Sequence, residues 1–160
     1  LGDAALILIG QKLGEGKKDE AYELGKKMII LGTVVGAILG AIALALGKPI
    51  LSLFDFTPEG ADMAWKTFII FSAFLWLEVH NGLIVTGILR CGGDTKFAAF
   101  ADVSTVWIIG VPVAFIASLK FGWPIYMAVL AVKSEAVIKG VLLITRFFSK
   151  KWVKNVIKGL

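Results

Sequence analysis

The hydrophobic and polar positions of this chain fall into long alternating blocks. Four apolar runs, at residues 28–46, 67–89, 97–119 and 125–144, are separated by short polar connections. Each run has about 19 to 23 residues, and a helix of that length covers a hydrocarbon layer about 30 Å thick. Transmembrane strands would alternate over about ten residues, whereas these runs are apolar on every face. The pattern predicts an all-α membrane protein with four spanning helices.

A shorter apolar segment at residues 4–9 precedes the first run. It is too short to cross a bilayer, so we interpret it as the end of a truncated helix. Residues 10–17 are expected to form a turn rich in Gly and Lys, with Asp19 as the N-cap of the first spanning helix. Residues 47–49 are expected to end that helix. The Thr-Pro pair at residues 57–58 then favours the start of the next one.

Charge and composition place the chain in a membrane. Hydrophobic residues make up 58% of the sequence, more than a soluble protein usually carries, and the net charge is +5. The basic residues concentrate before the first run, between the second and third, and after the fourth. The positive-inside rule therefore predicts a multi-pass protein of the cell membrane with a cytoplasmic C-terminus. Its basic tail, residues 149–160, is expected to lay Trp152 on the lipid surface.

The basic residues do not indicate a nucleic-acid partner, because they lie between the runs rather than along one face with stacking aromatics. The sequence also lacks a placeable Ser/His/Asp set, a His/Cys metal pattern and a phosphate-binding loop preceded by a strand. We therefore expect no enzyme activity, no metal and no cofactor. Cys91, the single cysteine, is interpreted as an inert structural thiol.

Small residues and a proline mark two of the runs. Gly32, Gly36 and Gly40 recur every fourth residue on one face of the first run, a pattern that lets another helix approach closely. We therefore predict a helix-packing face there. Pro112 lies in the middle of the third run, where it removes a backbone donor and is expected to kink the helix.

Polar residues inside the second run are candidates for function, because a charge at the bilayer centre costs about 3 kcal/mol or more. Glu78 lies twelve residues before Arg90, about 18 Å along a helix and so near mid-membrane. Asn81 shares its face. The pair could form a cation or proton site, or Glu78 could be permanently protonated and bonded to a neighbouring helix. His80 points away from Glu78 and is expected to bond elsewhere in the bundle.

The fourth run holds Lys133, Glu135 and Lys139. Glu135 and Lys139 are four residues apart, so mutual neutralisation explains both. Lys133 has no such partner, and we expect it to extend toward the interface or to meet an acidic group on a helix outside this chain. Asp102 lies about one turn into the third run and is expected to face water.

Three segments resemble the multidrug and toxic compound extrusion (MATE) transporters. GILRCGGDTKF at residues 87–97 resembles the turn after the tenth helix of that family, and GQKLGEGK at residues 10–17, followed by Ala21, resembles the turn after the eighth. IIGVP at residues 108–112 is similar to part of the eleventh helix. The turn residues involved are Gly10, Gln11, Gly14, Gly16, Gly87, Arg90, Gly92, Gly93 and Asp94.

The resemblance implies that residues 1–160 form part of the C-terminal lobe of a twelve-helix, two-lobe transporter, from the end of helix eight through helix twelve. It also implies secondary active efflux of cationic amphipathic compounds in exchange for sodium ions or protons. The expected partners are the lipid bilayer, the missing transporter helices and those small molecules. Members of the family often carry an acidic residue of a cation site in the tenth helix, and Glu78 corresponds to it.

Two other functions stay open at this point. Flippases for lipid-linked sugars share the architecture, but they usually line the cavity with several cationic groups, and only Lys133 is deep and unpaired here. The chain could instead be a small autonomous helical scaffold that uses its glycine face as the contact.

Overall fold

The computed structural model describes residues 1–153, all of whose regular elements are helical, as predicted. The end of the second apolar run and two stretches of the third form π-helix, and the other helices are α-helices. The α-helices are α1 (Gly2–Gly14), α2 (Lys18–Leu51), α3 (Pro58–Gly82), α4 (Thr95–Thr105), α5 (Val111–Phe115), α6 (Ile125–Val132) and α7 (Ser134–Phe148). The π-helical segments are Leu83–Leu89, Val106–Gly110 and Ile116–Lys120.

Three continuous helices of the described chain are long and apolar enough to cross a bilayer. They are Lys18–Leu51, Pro58–Leu89 and Thr95–Lys120, and they contain the first three apolar runs. The fourth run is helical as α6 and α7, with the single turn residue Lys133 between them, and its membrane crossing stays a prediction. Backbone hydrogen bonds from Lys133 N to Val129 O (3.1 Å) and from Val137 N to Lys133 O (3.3 Å) still connect α6 and α7.

The start of α3 is as predicted, whereas the end of α2 is not. The Thr57 hydroxyl accepts a hydrogen bond from Gly60 N (3.2 Å), and Pro58 is the first helical residue. The α2 helix passes through Pro49 and ends at Leu51. A proline removes the hydrogen bond of its own nitrogen and its ring crowds the carbonyl four residues earlier, but so close to the helix end few later residues depend on that turn.

The connection between α1 and α2 is tighter than predicted. Helical structure continues through the first half of residues 10–17, because α1 ends only at Gly14. Gly16 then takes a φ of 75°, which a residue without a Cβ adopts at little cost. Because α2 begins at Lys18, Asp19 lies in its first turn and is not the N-cap. In the first turn its negative charge still interacts favourably with the positive end of the helix dipole.

The α2 and α3 helices approach each other backbone to backbone. Gly32, Gly36 and Gly40 are all buried in this contact. A Cβ on Gly36 would lie 2.8 Å from the Cα of Trp76, and one on Gly40 would lie 2.5 Å from the carbonyl oxygen of Ser72. Larger side chains at these positions would therefore force the helices apart.

The third span accommodates Pro112 through π-helical turns on both sides of α5. The backbone N–H of Val111 donates to the carbonyl of Val106, five residues earlier, so the hydrogen-bond register has already shifted before the proline. Insertion of a π turn is one way in which a helix redistributes a missing donor. The span remains helical from Thr95 to Lys120, and the kink at Pro112 stays a prediction.

The tail after α7 packs into the protein rather than onto lipid, which corrects the expectation for Trp152. Its side chain is fully buried, its indole N–H donates to the carbonyl of Phe147 (3.0 Å), and its ring stacks on the Phe147 ring. Phe147 in turn stacks on Tyr22 of α2. A Cβ on Gly92 would collide with the Trp152 carbonyl. Residues 154–160 of the predicted basic tail lie outside the described residues.

Cys91 is held in a setting that suppresses its reactivity. The thiol donates to the carbonyl of Ile88 (3.0 Å), and burial raises the pKa of Cys91 to about 12 even though backbone N–H groups nearby lower it. Only the thiolate is nucleophilic, and an exposed cysteine has a pKa of about 8.5, so we expect maleimide to label Cys91 at pH 7 about a thousandfold more slowly than an exposed cysteine. Mass spectrometry over a time course would measure this.

The matched control is Ser149→Cys combined with Cys91→Ala, because Ser149 is exposed at the end of α7. Labelling of Cys91 at the rate found for position 149 would contradict the buried setting.

Candidate functional site

A charged pair joins α3 to the junction between α6 and α7. The ammonium nitrogen of Lys133 lies 2.7 Å from Oε1 of Glu78, and the Lys133 side chain is only 11% exposed. The same ammonium lies 4.7 Å from the centre of the Phe71 ring, a cation–π contact. The prediction that Lys133 has no partner within the chain is therefore wrong. Spacing along one helix could not find this partner, because 55 residues separate the two side chains.

A cavity of about 310 Å³ opens beside this pair. Glu78, Lys133, Glu135 and Ser118 provide its polar lining, and the rest of the wall is aliphatic apart from Phe71. Its volume is at the lower end of the range for small-molecule sites, and it combines an apolar wall with a few converging polar groups. The Glu78–Lys133 pair thus faces a space that a small ion or water molecules could enter.

Asn81 lies one turn beyond Glu78 on α3 and contacts α7. Its side chain is 3% exposed, and its amide N–H donates to the carbonyl of Ala136 (2.8 Å). Its Oδ1 is buried without a hydrogen-bond partner among the described residues and lies close to Gly140. Glu78 and Asn81 therefore face the same neighbouring region, α6 and α7, but through different partners.

His80 connects α3 to α2 and not to the Glu78 side. Its Nδ1 lies 2.9 Å from the hydroxyl oxygen of Thr33, and that hydroxyl donates to the carbonyl of Ile29 (2.8 Å). His80 donates in this hydrogen bond when its proton is on Nδ1 and accepts when its proton is on Nε2. His80 is thus a polar contact between two helices.

A second charged group links α7 to α4. The Glu135–Lys139 pair expected from the sequence is present, with Nζ 3.0 Å from Oε1. Lys139 is also 2.9 Å from Oδ1 of Asp102, a residue that we expected to face water. The hydroxyl oxygen of Thr105 lies 2.6 Å from Oε1 of Glu135. Asp102 and Thr105 are three residues apart and share a face of α4, which is the only signal in the sequence for this contact.

The turn in segment 87–97, which follows the second apolar run, is held by a buried ion pair that the sequence did not reveal. Nε and Nη2 of Arg146 lie 2.6 and 3.1 Å from the two carboxylate oxygens of Asp94, and Asp94 is 4% exposed. The guanidinium also lies over the Phe97 ring, 4.5 Å from its centre. This two-pronged geometry is the strongest form of Arg–carboxylate contact. It ties the turn to the end of α7.

The two glycine-containing turn segments lie next to each other. A Cβ on Gly10 would be 3.9 Å from the Cβ of Cys91, and one on Gly87 would be 3.0 Å from the carbonyl oxygen of Gly2. Gly93 takes a φ of 78° in the tight turn that follows the second apolar run. Both segments therefore belong to one packed end of the bundle, which we call the basic end after its Lys and Arg residues.

Comparison with protein families decides the class. The MatE family model matches residues 1–116, most of the chain. The chain belongs to the MATE (MatE) family. Together with its apolar helices, this makes it a multi-pass membrane protein, and the members of its family are transporters and not enzymes.

Individual relatives agree. The chain is 24% identical to the "Uncharacterized transporter YisQ" of Bacillus subtilis over 93% of its own length and 32% of that protein. It is 27% identical to the "Probable multidrug resistance protein NorM" of Pasteurella multocida over 72% of its length and 25% of that protein. The "Multidrug resistance protein MdtK" of Edwardsiella ictaluri gives 27%, with shares of 74% and 26%. The chain thus spans a quarter to a third of the length of these relatives. No solved structure matches it.

Proposed function

We propose that this chain forms part of a secondary active antiporter that exports cationic amphipathic compounds in exchange for sodium ions or protons. Its membership of the MATE family and the multidrug resistance names of its relatives support this proposal. The chain would work with further helices of a two-lobe transporter, as the greater length of those relatives suggests. The basic end would face the cytoplasm, following the positive-inside rule.

The observation that carries the coupling mechanism is the Glu78–Lys133 pair at the cavity wall. A sodium ion or proton that binds the Glu78 carboxylate must compete with the Lys133 ammonium for it. An ion that binds better in one conformation than in the other shifts the population toward that conformation, which is how an ion gradient can drive alternating access. The unpartnered amide oxygen of Asn81, one turn away, would be a further oxygen ligand near this position.

Export of lipid-linked sugars has less support. That alternative depends on a deep cationic group that is free to hold pyrophosphate, and Lys133 is neutralised by Glu78. Binding measurements with a cationic dye and with a lipid-linked sugar would separate the two substrate classes. The scaffold alternative relied on the glycine face of α2 as an external contact, but α3 covers that face.

The complete transporter in proteoliposomes provides the test of the coupling site. We expect Glu78→Gln to lower dye efflux driven by a sodium or pH gradient by roughly tenfold or more, because an amide neither exchanges a proton nor carries a charge for a cation. Efflux would be followed by dye fluorescence under each gradient separately.

Glu59→Gln is the matched control, since Glu59 is an exposed carboxyl in the first turn of α3, outside the apolar run. Its efflux should equal that of the unmodified protein. If Glu78→Gln folds and transports at the unmodified rate under both gradients, Glu78 has no part in coupling.

A further inference from the structure

A lysine and a tryptophan meet between α2 and α3, at the end of the bundle opposite the basic end. The ammonium nitrogen of Lys48 lies 5.4 Å from the centre of the Trp65 ring. Each residue lies two positions outside an apolar run, Lys48 after residues 28–46 and Trp65 before residues 67–89. The pair therefore marks the boundary between the hydrocarbon layer and the polar headgroups, where such side chains are often found.

Two hollows meet at this pair, and their walls differ in chemistry. The hollow on the membrane side has a volume of about 530 Å³, and its wall is otherwise apolar: Ala41, Leu44, Ala45 and Ile69. Because Ala41 lies seven residues before Lys48, this wall extends about 10 Å along the span. The hollow on the other side has about 360 Å³ and includes the polar side chains of Ser52 and Asp62. Since Lys48 and Trp65 line both hollows, we call them together the α2–α3 groove.

Lys48 gives this groove a positive charge that no carboxylate compensates within the part of the chain that the structure describes. Asp62 lines the same groove, but its Oδ2 is 2.6 Å from the ammonium of Lys66. Asp55 and Glu59 are exposed nearby in the chain and line neither hollow. The groove therefore complements an anionic group placed at the level of Lys48.

Close packing holds Trp65 in place beside the groove. A Cβ on Gly47 would lie 2.8 Å from the Trp65 ring and 2.5 Å from the Phe68 ring, so the missing side chain makes room for both rings. The two rings also stack, with their centres 6.3 Å apart. Because Trp65 cannot swing into the groove without losing these contacts, the groove is ready to receive a ligand.

We propose that the α2–α3 groove binds a phospholipid with a net negative charge, such as phosphatidylglycerol. One acyl chain lies along the apolar wall, and the phosphate accepts hydrogen bonds from the ammonium of Lys48. The glycerol headgroup lies in the polar hollow, where the Ser52 oxygen can accept from it because the Ser52 hydroxyl already donates to Pro49 O (2.7 Å). The chemistry of the groove thus changes in the same order as the parts of the lipid.

A zwitterionic lipid fits this groove less well. Its amine would need a free carboxylate, and Asp62 is already paired with Lys66. The lipid site does not depend on the proposed efflux activity, because it lies at the lipid-facing end of the α2–α3 contact and shares no residue with the cavity beside Glu78.

Fluorescence quenching tests the proposal on the complete transporter in vesicles of equal parts phosphatidylglycerol and phosphatidylethanolamine. Bromine atoms on the acyl chains of one lipid quench a tryptophan that this lipid contacts. The signal of Trp65 is the difference between a protein with Trp65 and the same protein with Trp65→Phe, which keeps an aromatic ring beside Gly47. We expect brominated phosphatidylglycerol to quench Trp65 about five times as strongly as brominated phosphatidylethanolamine, the ratio expected for one lysine beside an anionic lipid.

Lys48→Gln should bring this ratio to about one, because it removes the charge that selects the anionic lipid. Lys120→Gln is the matched control, since Lys120 is an exposed lysine at the same end of the bundle that lines neither hollow. It should leave the ratio unchanged. Three results would overturn the proposal: no quenching of Trp65 by either lipid, as when another helix or a second copy covers the groove; equal quenching by both lipids; or a preference that survives Lys48→Gln.

Native mass spectrometry gives a second measurement that leaves Trp65 intact, in case Trp65→Phe fails to fold. Complete transporter released from the same vesicles should retain one phosphatidylglycerol fewer with Lys48→Gln than with Lys120→Gln. Equal numbers of bound phosphatidylglycerol in the two variants would contradict the site. Neither measurement requires transport, so its outcome is separate from that of the efflux experiment.

Discussion

Arg146→Met is expected to lower the free energy of unfolding by about 3 kcal/mol, because it removes the guanidinium that binds both carboxylate oxygens of the buried Asp94. Asp94 is 4% exposed and accepts two hydrogen bonds from Arg146, and the variant loses both. The same change removes the cation that lies over Phe97. Denaturant titration of the purified protein in mild detergent, followed by circular dichroism, would measure the loss.

Arg90→Met is the matched control, since Arg90 belongs to the same end of the bundle but is exposed. We expect it to change stability by less than about 0.5 kcal/mol. Arg146→Lys should fall between the two, because it keeps the charge and loses the two-pronged geometry. Equal stability of Arg146→Met and Arg90→Met would show that the ion pair does not hold the turn.

Gly36→Leu is expected to destabilise the protein to a similar degree, by about 3 kcal/mol, because overpacking a close helix contact forces the backbones apart. A Cβ at this position already meets the Cα of Trp76 at 2.8 Å and the Cβ of Val79 at 3.0 Å. Backbone atoms cannot move aside as a flexible side chain can. The measurement is the same denaturant titration, with the helical signal as the readout.

Ala37→Leu adds a comparable side chain to the next residue of α2, which is exposed, and should leave stability nearly unchanged. Should both variants unfold at the same denaturant concentration, the α2–α3 contact would be looser than its distances indicate.

Helix positions could largely be predicted from the sequence because burial in lipid imposes a simple requirement on every residue of a span. The three long helices contain the first three apolar runs, and Thr57 begins α3 as expected. The ends of α2 were harder to predict. A proline in the middle of a helix would interrupt it. Pro49 lies in the last turn of α2, where the missing hydrogen bond has little effect.

The candidate site could be predicted only in part. A residue pattern on one helix showed that Glu78 and Asn81 share a face and that Glu135 and Lys139 can pair. It could not show that Lys133 reaches Glu78 or that Lys139 also contacts Asp102, because those contacts join helices far apart in the chain. For the same reason the prediction from the sequence left Lys133 without a partner and put Trp152 on the lipid surface.

The sequence by itself determined that this is a helical membrane protein of the MATE family, where its apolar helices lie and which charges are embedded in them. Hydrophobic length and local turn residues carry that information, and both can be read along the chain. Only the tertiary structure decided which embedded charges neutralise one another. Charge compensation depends on distances of a few ångströms between separate helices, and these distances exist only after the helices have packed.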